Sequence, residues 1–217
     1  MTLRETLRHK WLAALAHQLG YPSGLRGRLV GGMLNRRNRV NVTAAVDALS
    51  LGPGAVVADV GFGGGAGLDL LLKAVGDTGQ VHGVEVSTTM LSRATHRLRR
   101  QIAAGRLHVH AASIVRLPFE DGYLDGAITV NTIYFLDDLQ AAAAELARVL
   151  KGSGQLVVGL ADPVAMADMP FTEYGFRTRP MTEVIDALNK AGLSVEVDRR
   201  VGEGDGAFHL LVAKICS

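Results

Sequence analysis

The chain has 217 residues, 48% of them apolar, with 23 Lys and Arg against 21 Asp and Glu, a net charge of +2 and one cysteine. That length supports one α/β domain with a substantial core and short appendages, and it would cramp two full domains. Cys216 alone excludes an internal disulfide or a thiolate metal cluster and fits a reducing, cytoplasmic setting, no apolar run approaches the roughly 18 residues of a membrane span, and the N-terminus lacks the uninterrupted apolar core of a secretory signal.

Charge is unevenly placed: residues 1–41 hold eight of the 23 bases and one of the 21 acids. A basic arm of this kind is compatible with a mitochondrial-type presequence, a membrane-surface helix or a nucleic-acid patch. Leu3, Leu7, Trp11, Leu15 and Leu19, however, recur every four residues and make one apolar stripe of a helix, which is expected to dock on the domain that follows. Gly20-Tyr-Pro-Ser-Gly24 breaks the pattern, and a weaker helical stretch runs from about Leu25 to Leu34. The polar loop Asn35-Arg-Arg-Asn-Arg39 closes at Asn41, which is suited to cap a short helix from Val42 to Leu49. The expected division is a basic helical arm or lid over residues 1–41 and a single domain over residues 42–217.

Leu51-Gly-Pro-Gly54 turns the chain into a short apolar run, Ala55 to Val60, that carries one acid, Asp59, and empties into Gly61, Gly63, Gly64, Gly65 and Gly67 before the helix-like Leu68 to Leu72. A buried strand, a glycine turn and a helix start make a site where a ligand approaches the main chain and meets free N–H groups, so a nucleotide-like molecule is the expected occupant. From there the pattern alternates. A helix from about Gly65 to Val75 is followed by a strand Gln80 to Val86, and a helix Ser87 to Ala103 has Leu91, Ala94, Leu98 and Ile102 inward and Arg93, His96, Arg97, Arg99 and Arg100 on a face expected to be solvated. Then come a strand Leu107 to His110, a loop to Asp121, a strand Leu124 to Val130, and a helix Asp138 to Leu150 with Leu139, Ala142, Leu146 and Val149 inward. Lys151-Gly-Ser-Gly154 is expected as a turn before a strand Gln155 to Leu160. Five strands alternating with helices imply a parallel sheet covered on both faces.

After the loop Ala161 to Pro180 and a helix with Met181, Val184, Ile185, Leu188 and Ala191 inward, two strands, Leu193 to Val201 and Ala207 to Ile215, are joined by Gly202-Glu-Gly-Asp-Gly206. A link that short joins antiparallel neighbours, so the sheet is expected to end in a hairpin.

Asp59-Val-Gly61-Phe-Gly63-Gly-Gly65 resembles the D/E-x-G-x-G-x-G signature of class I S-adenosylmethionine-dependent methyltransferases. Leu117-Pro-Phe119-Glu-Asp-Gly-Tyr-Leu-Asp125 is similar to that family's LPF stretch, and Glu145 to Gly154 to its helix and turn before strand five. The resemblance covers about residues 42–215. It implies a Rossmann-like seven-stranded mixed sheet, five parallel strands plus the C-terminal hairpin, with helices on both faces. It also implies a site for S-adenosylmethionine, with S-adenosylhomocysteine as product, formed by Asp59, Gly61, Phe62, Gly63, Gly65, Glu85, Val86, Met90, Ser113, Ile114 and Asn131. Glu85 matches the acid that holds the ribose hydroxyls, and Ser113 stands where many relatives have an acid beside adenine, leaving a hydroxyl, backbone groups and the apolar Ile114, Val86 or Met90 to hold that ring.

In-line displacement at a sulfonium methyl needs mainly alignment and exclusion of water, with a base only for an acceptor that keeps its proton, such as an alcohol. Ligands of open α/β sheets bind beyond the carboxyl ends of the strands. Tyr134, Asp137, Asp162, Glu173, Tyr174 and the loop Asn35 to Asn41, with Arg36 or Arg39 suited to an anionic group, are therefore expected to face the acceptor, and Tyr134, Glu173 and Asp137 are the candidates for catalysis. Asp137 and Asp138 are equally suited to cap the next helix, and Phe171, Tyr174 and Phe176 to pack a long loop. His108 and His110 alternate on a strand expected at the sheet edge, where solvated imidazoles are ordinary, and His209 is expected to be structural. No metal ligands are assigned, Mg²⁺ being admitted but not favoured because Asn131 stands where metal-assisted relatives tend to have an acid. The expected acceptor is a small molecule, first a hydroxylated metabolite such as a sugar or polyol. N- or C-methylation, and less so an NAD(P)-dependent oxidoreductase, which Gly61-x-Gly63-x-x-Ala66 also fits, or a non-catalytic nucleotide-binding module, are the alternatives. The expected particle is a monomer or homodimer, with neither membrane nor nucleic acid as partner.

Overall fold

A computed structural model describes residues 38–167, 176–202 and 208–216. The expected helix at residues 3–19, the loop residues Asn35 and Arg36, Phe171, Glu173, Tyr174 and most of the glycine link 202–206 lie outside them.

Helix α1 spans residues 38–48 and so takes in Asn41, expected as its cap; Ala45, Val46 and Leu49 carry its buried face. Then follow β1 (Val56–Val60), α2 (Ala66–Ala74), β2 (Gln80–Glu85), α3 (Thr88–Arg97), α4 (Arg99–Ala103), β3 (Leu107–Ala111) and β4 (Leu124–Val130). A 3-10 turn (Ile133–Phe135) leads to α5 (Leu139–Val149), β5 (Leu150–Ala161), α6 (Pro163–Ala167), α7 (Met181–Lys190), β6 (Leu193–Val201) and β7 (Phe208–Ile215).

The seven strands form one sheet in the order β3-β2-β1-β4-β5-β7-β6. The first five are parallel, β7 runs antiparallel to β5, and β6 pairs antiparallel with β7, the terminal hairpin expected from the short link. Apolar residues fill both faces. On one, Ala58, Val60, Val84, Leu124 and Leu156 pack with α5 and α7; on the other, Val57, Val81, Leu107, Ile128 and Val157 pack with α1, α2 and α3. This is why the inner strands read as continuous apolar runs. Among the described residues no helix is long and apolar enough to cross a membrane.

Two boundaries differ from expectation. The helix expected over 87–103 bends at Leu98, whose φ of −106° and ψ of 23° leave the α region while its side chain stays buried. The heptad-like spacing passes through the bend unchanged, so periodicity does not reveal it. Residues 151–154, expected as a turn, are extended within β5: Leu150 already pairs with Leu124, and a shift of register between Leu124 and Gly126 absorbs the extra length.

Candidate cofactor and acceptor site

β1 delivers Asp59 to the centre of the sheet, between Gly83 of β2 and Ile128 of β4. The chain then turns through Gly61, whose N–H donates to Val84 O at 2.8 Å and whose φ is 78°. A Cβ at Gly61 would also lie 2.5 Å from Thr132 Oγ1, so both the turn and the approach of the segment after β4 require glycine there. Gly65 heads α2, and its carbonyl accepts from Arg97 of α3 at 2.8 Å. Arg97 also pairs with Asp69 in the first turn of α2. The face of α3 expected to be solvated thus braces the glycine turn from outside.

Glu85 ends β2 and is buried. Its Oε2 accepts from Gly63 N at 2.9 Å and its Oε1 from Val86 N at 2.8 Å and Ser87 N at 2.9 Å. One carboxylate therefore fastens the glycine turn to the start of α3, which is capped by Ser87. Asp59 is 4% exposed and lies against Gly67. Burial, and then the charge of Glu85, push its carboxyl up to about 8. A buried acid so disfavoured as an anion, beside a second acid, is a place prepared for a positive charge.

Of the residues named from sequence, Asp59, Gly61, Gly63, Gly65 and Glu85 come together around this turn. Val86 and Ser113, both exposed, and the buried Ile114 lie at the adjacent carboxyl ends of β2 and β3. Ser113 Oγ accepts weakly from Val115 N in a tight turn closed by Arg116. Asn131 sits at the end of β4 with a left-handed φ of 58°, its N–H donating to Gly159 O. The side chains of Phe62 and Met90 belong to the core, Phe62 resting on Gly83 and Met90 fully buried under α3.

Beyond β4 and β5, Tyr134 is buried and its hydroxyl accepts from Ala161 N at the end of β5. Burial raises its pKa well above the usual phenol range. Asp137 is exposed and pairs with Arg177, and Asp138 caps α5 by accepting from Ala141 N at 2.8 Å. Phe176 packs on Phe135 at 4.7 Å and on Tyr134 at 6.1 Å, while Arg177 N donates to Tyr134 O, so the end of the long loop is pinned to the segment after β4. Arg39 is exposed on α1. Asp162 caps α6 through Val164 N, and its Oδ2 lies 3.3 Å from His209 Nε2, whose other nitrogen faces Asp198 at 2.8 Å.

Two structural devices were not apparent from sequence. Glu145 and Arg148 of α5 hold the Leu117-Pro-Phe119 segment: Leu117 N donates to Glu145, and Arg148 donates to the carbonyls of Phe119 and Leu117 and pairs with Asp121. Arg148 also donates to both oxygens of Glu145, and these bonds first, then that from Leu117 N, hold the Glu145 carboxyl below the usual range. His108 and His110, expected as ordinary solvated imidazoles at a sheet edge, both stack on a third imidazole, the buried His82 of β2. No local signal marks either device, since each joins segments distant in sequence.

Residues 58–158 match the family model described as a methyltransferase domain. The chain is 32% identical over 106 residues to a 2-phytyl-1,4-naphtoquinone methyltransferase of Trichormus variabilis, covering 49% of this chain and 46% of that protein. It is also 32% identical over 110 residues to the O-methyltransferase cnsE of Penicillium expansum, 51% of this chain and 39% of that protein. The chain thus matches less than half the length of these curated relatives. Its fold is that of a SAM-dependent methyltransferase from Aquifex aeolicus, with a TM-score of 0.71 at 22% identity over 94% of this chain and 98% of that one.

Proposed function

We propose that the chain, whose residues 58–158 match a methyltransferase domain, transfers a methyl group from S-adenosylmethionine to a small-molecule acceptor. The observation that carries this is the placing of two buried carboxylates, Asp59 and Glu85, around one glycine turn, with Asp59 pushed up to about 8 by its surroundings. A nicotinamide dinucleotide has no ammonium group to offer the first of them.

The cradle fits the proposed cofactor. Asp59 would hold its cationic amino group and recover its charge in doing so. Glu85 Oε2, which accepts one amide, has capacity for a ribose hydroxyl. Val86, Ser113 and Ile114 would border the adenine, and Gly61, Gly63 and Gly65 admit the ligand to the main chain. Bound there, S-adenosylmethionine supplies a methyl group on a sulfonium that leaves as neutral S-adenosylhomocysteine. The protein's own task is to align the acceptor and keep water out.

A hydroxyl acceptor, as in O-methylation of a sugar or polyol, also needs its proton removed. Tyr134 and Asp137 stand at the acceptor edge, but the first is tied to Ala161 and the second to Arg177. The base for such an acceptor is therefore expected on the segment 161–180, with Glu173 the candidate. A second reading, methylation on a flat ring, is favoured by the Phe135–Phe176 pair at the same edge and by the naphthoquinone enzyme among the relatives.

Calorimetric titration with S-adenosylhomocysteine and, separately, with NADH and NADPH tests the cofactor. Micromolar binding of the first and none of the others is expected, and the reverse result would remove the proposal. A metabolite screen with labelled S-adenosylmethionine, with and without Mg²⁺, then separates the acceptor classes.

A further inference from the structure

At the sheet edge, β2 and β3 present three histidines on one face. His82 is 5% exposed, and its ring stacks on His108 at 4.9 Å and on His110 at 5.3 Å. His82 Nδ1 lies 3.0 Å from His110 Nε2, and Tyr123 Oη lies 3.4 Å from His82 Nε2. Phe119 closes the group, edge-on to His82 at 5.1 Å and to His110 at 5.3 Å and stacked on Tyr123 at 5.8 Å. These residues bracket one loop. His110 precedes Ala111, the last residue of β3, which pairs with Glu85, and Phe119 ends the Leu117-Pro-Phe119 segment. Between them lie Ser113 and Ile114.

We propose that this imidazole stack positions the loop 112–119 against the cofactor site and holds it less firmly as the buried His82–His110 pair takes up protons, so that acid weakens cofactor binding through the stack. The inference rests on the reading of the site given above.

The 3.0 Å contact needs one nitrogen to donate and the other to offer a lone pair, so at least one ring of the pair must stay neutral. Protonating both rings sets two N–H groups face to face. The groups that bear on His82 offer no compensation. β3 contributes His108 and His110, the segment before β4 contributes Tyr123 and Phe119, and the residue beside His82 in β1 is Ala58. Burial first, and then the neighbouring imidazoles, lower the His82 pKa to about 4 and that of His110 in the same direction. If lifting the loop returns these rings to water and to an ordinary value near 6.5, the lifted state gains protons that the docked state refuses. Each such proton changes the docking equilibrium by up to about tenfold per pH unit.

The test is the affinity for S-adenosylhomocysteine from pH 8 to pH 5, in wild type and in His82→Phe. At pH 8 the variant, which keeps a ring in the stack but loses the bond to His110, is expected to bind up to a few-fold more weakly than wild type. From pH 8 to pH 5 the wild type is expected to lose about tenfold more affinity than the variant, which keeps whatever slope Asp59 imposes and loses that of the stack. Parallel curves would overturn the inference, whereas absence of binding by either protein at pH 8 would instead overturn the cofactor assignment. Should His82→Phe not fold, amide exchange of the wild type decides. Loss of protection in 112–119 at pH 5, corrected for intrinsic rate and with β1 still protected, supports the stack as a switch, and unchanged protection refutes it.

Discussion

Asp59 lays its carboxylate against the main chain of Gly67, where an added Cβ would stand 2.1 Å from Oδ2 and 3.2 Å from Ile128 Cδ1. The first turn of α2 and the acid of β1 are therefore one fitted unit. Gly67→Ala must displace that carboxylate, at an overpacking cost of about 1–3 kcal/mol. Urea unfolding should record the loss, and calorimetry should show S-adenosylhomocysteine binding weakened at least about tenfold, a change of ~1.4 kcal/mol. Unaltered affinity would mean that the position of Asp59 does not matter to the ligand.

Asp59 also sets a pH dependence of the apo protein. Its folded pKa, about 8, is above the ordinary 3.8, so between those values the native state holds a proton that the unfolded chain releases. Stability from this group is present at low pH and is lost as pH rises towards 8, by at most about 1.4 kcal/mol per unit. Asp59→Asn should flatten that slope, be more stable than wild type at pH 8, and bind no cofactor. A variant less stable than wild type at pH 8 would show that the carboxylate is paired in the apo protein.

Arg97 joins α3 to the carbonyl of Gly65 and to Asp69. The ion pair is half exposed and worth little by itself, about 0–1 kcal/mol, so Arg97→Ala should lower stability by only ~1–2 kcal/mol in all. Its larger effect should fall on the turn, as a several-fold weaker S-adenosylhomocysteine affinity that Arg97→Lys does not restore, since a lysine cannot span both acceptors in a planar fork. Equal affinity in all three proteins would reduce Arg97 to surface decoration.

Tyr134→Phe leaves Ala161 N without its acceptor. A loss of about 1–3 kcal/mol on urea unfolding is expected, with turnover of an acceptor found by screening kept within a few-fold. A collapse of kcat at unchanged cofactor affinity would instead make the phenol the base.

Elements whose cause is local could be read directly from sequence. The glycine turn, the alternation of strands and helices and the antiparallel ending each announce themselves within a few residues, and so did the cap at Asp138. What escaped depends on register. Val81-His82-Gly83-Val84 reads as any buried parallel strand, and only the pairing of His82 with His108 builds the stack. Arg97 is indistinguishable, along its helix, from the arginines beside it. Phe62 looks like a turn residue facing a ligand because the space that receives it is made by Gly83, on another strand.

The strand order also decides when the cradle can exist. β1 lies between β2 and β4, Val56 donates to Asp125 across 69 residues of sequence, and Thr132 closes against Gly61. A chain emerging from the ribosome has its glycine turn and Glu85 early, yet it lacks one wall until β4 and the residues to Thr132 have followed. Non-local pairing of this kind forms late. The cradle is thus complete only once β4 and Thr132 have emerged, and a fragment stopping after β3 would carry most of the signature residues and is expected to bind no cofactor.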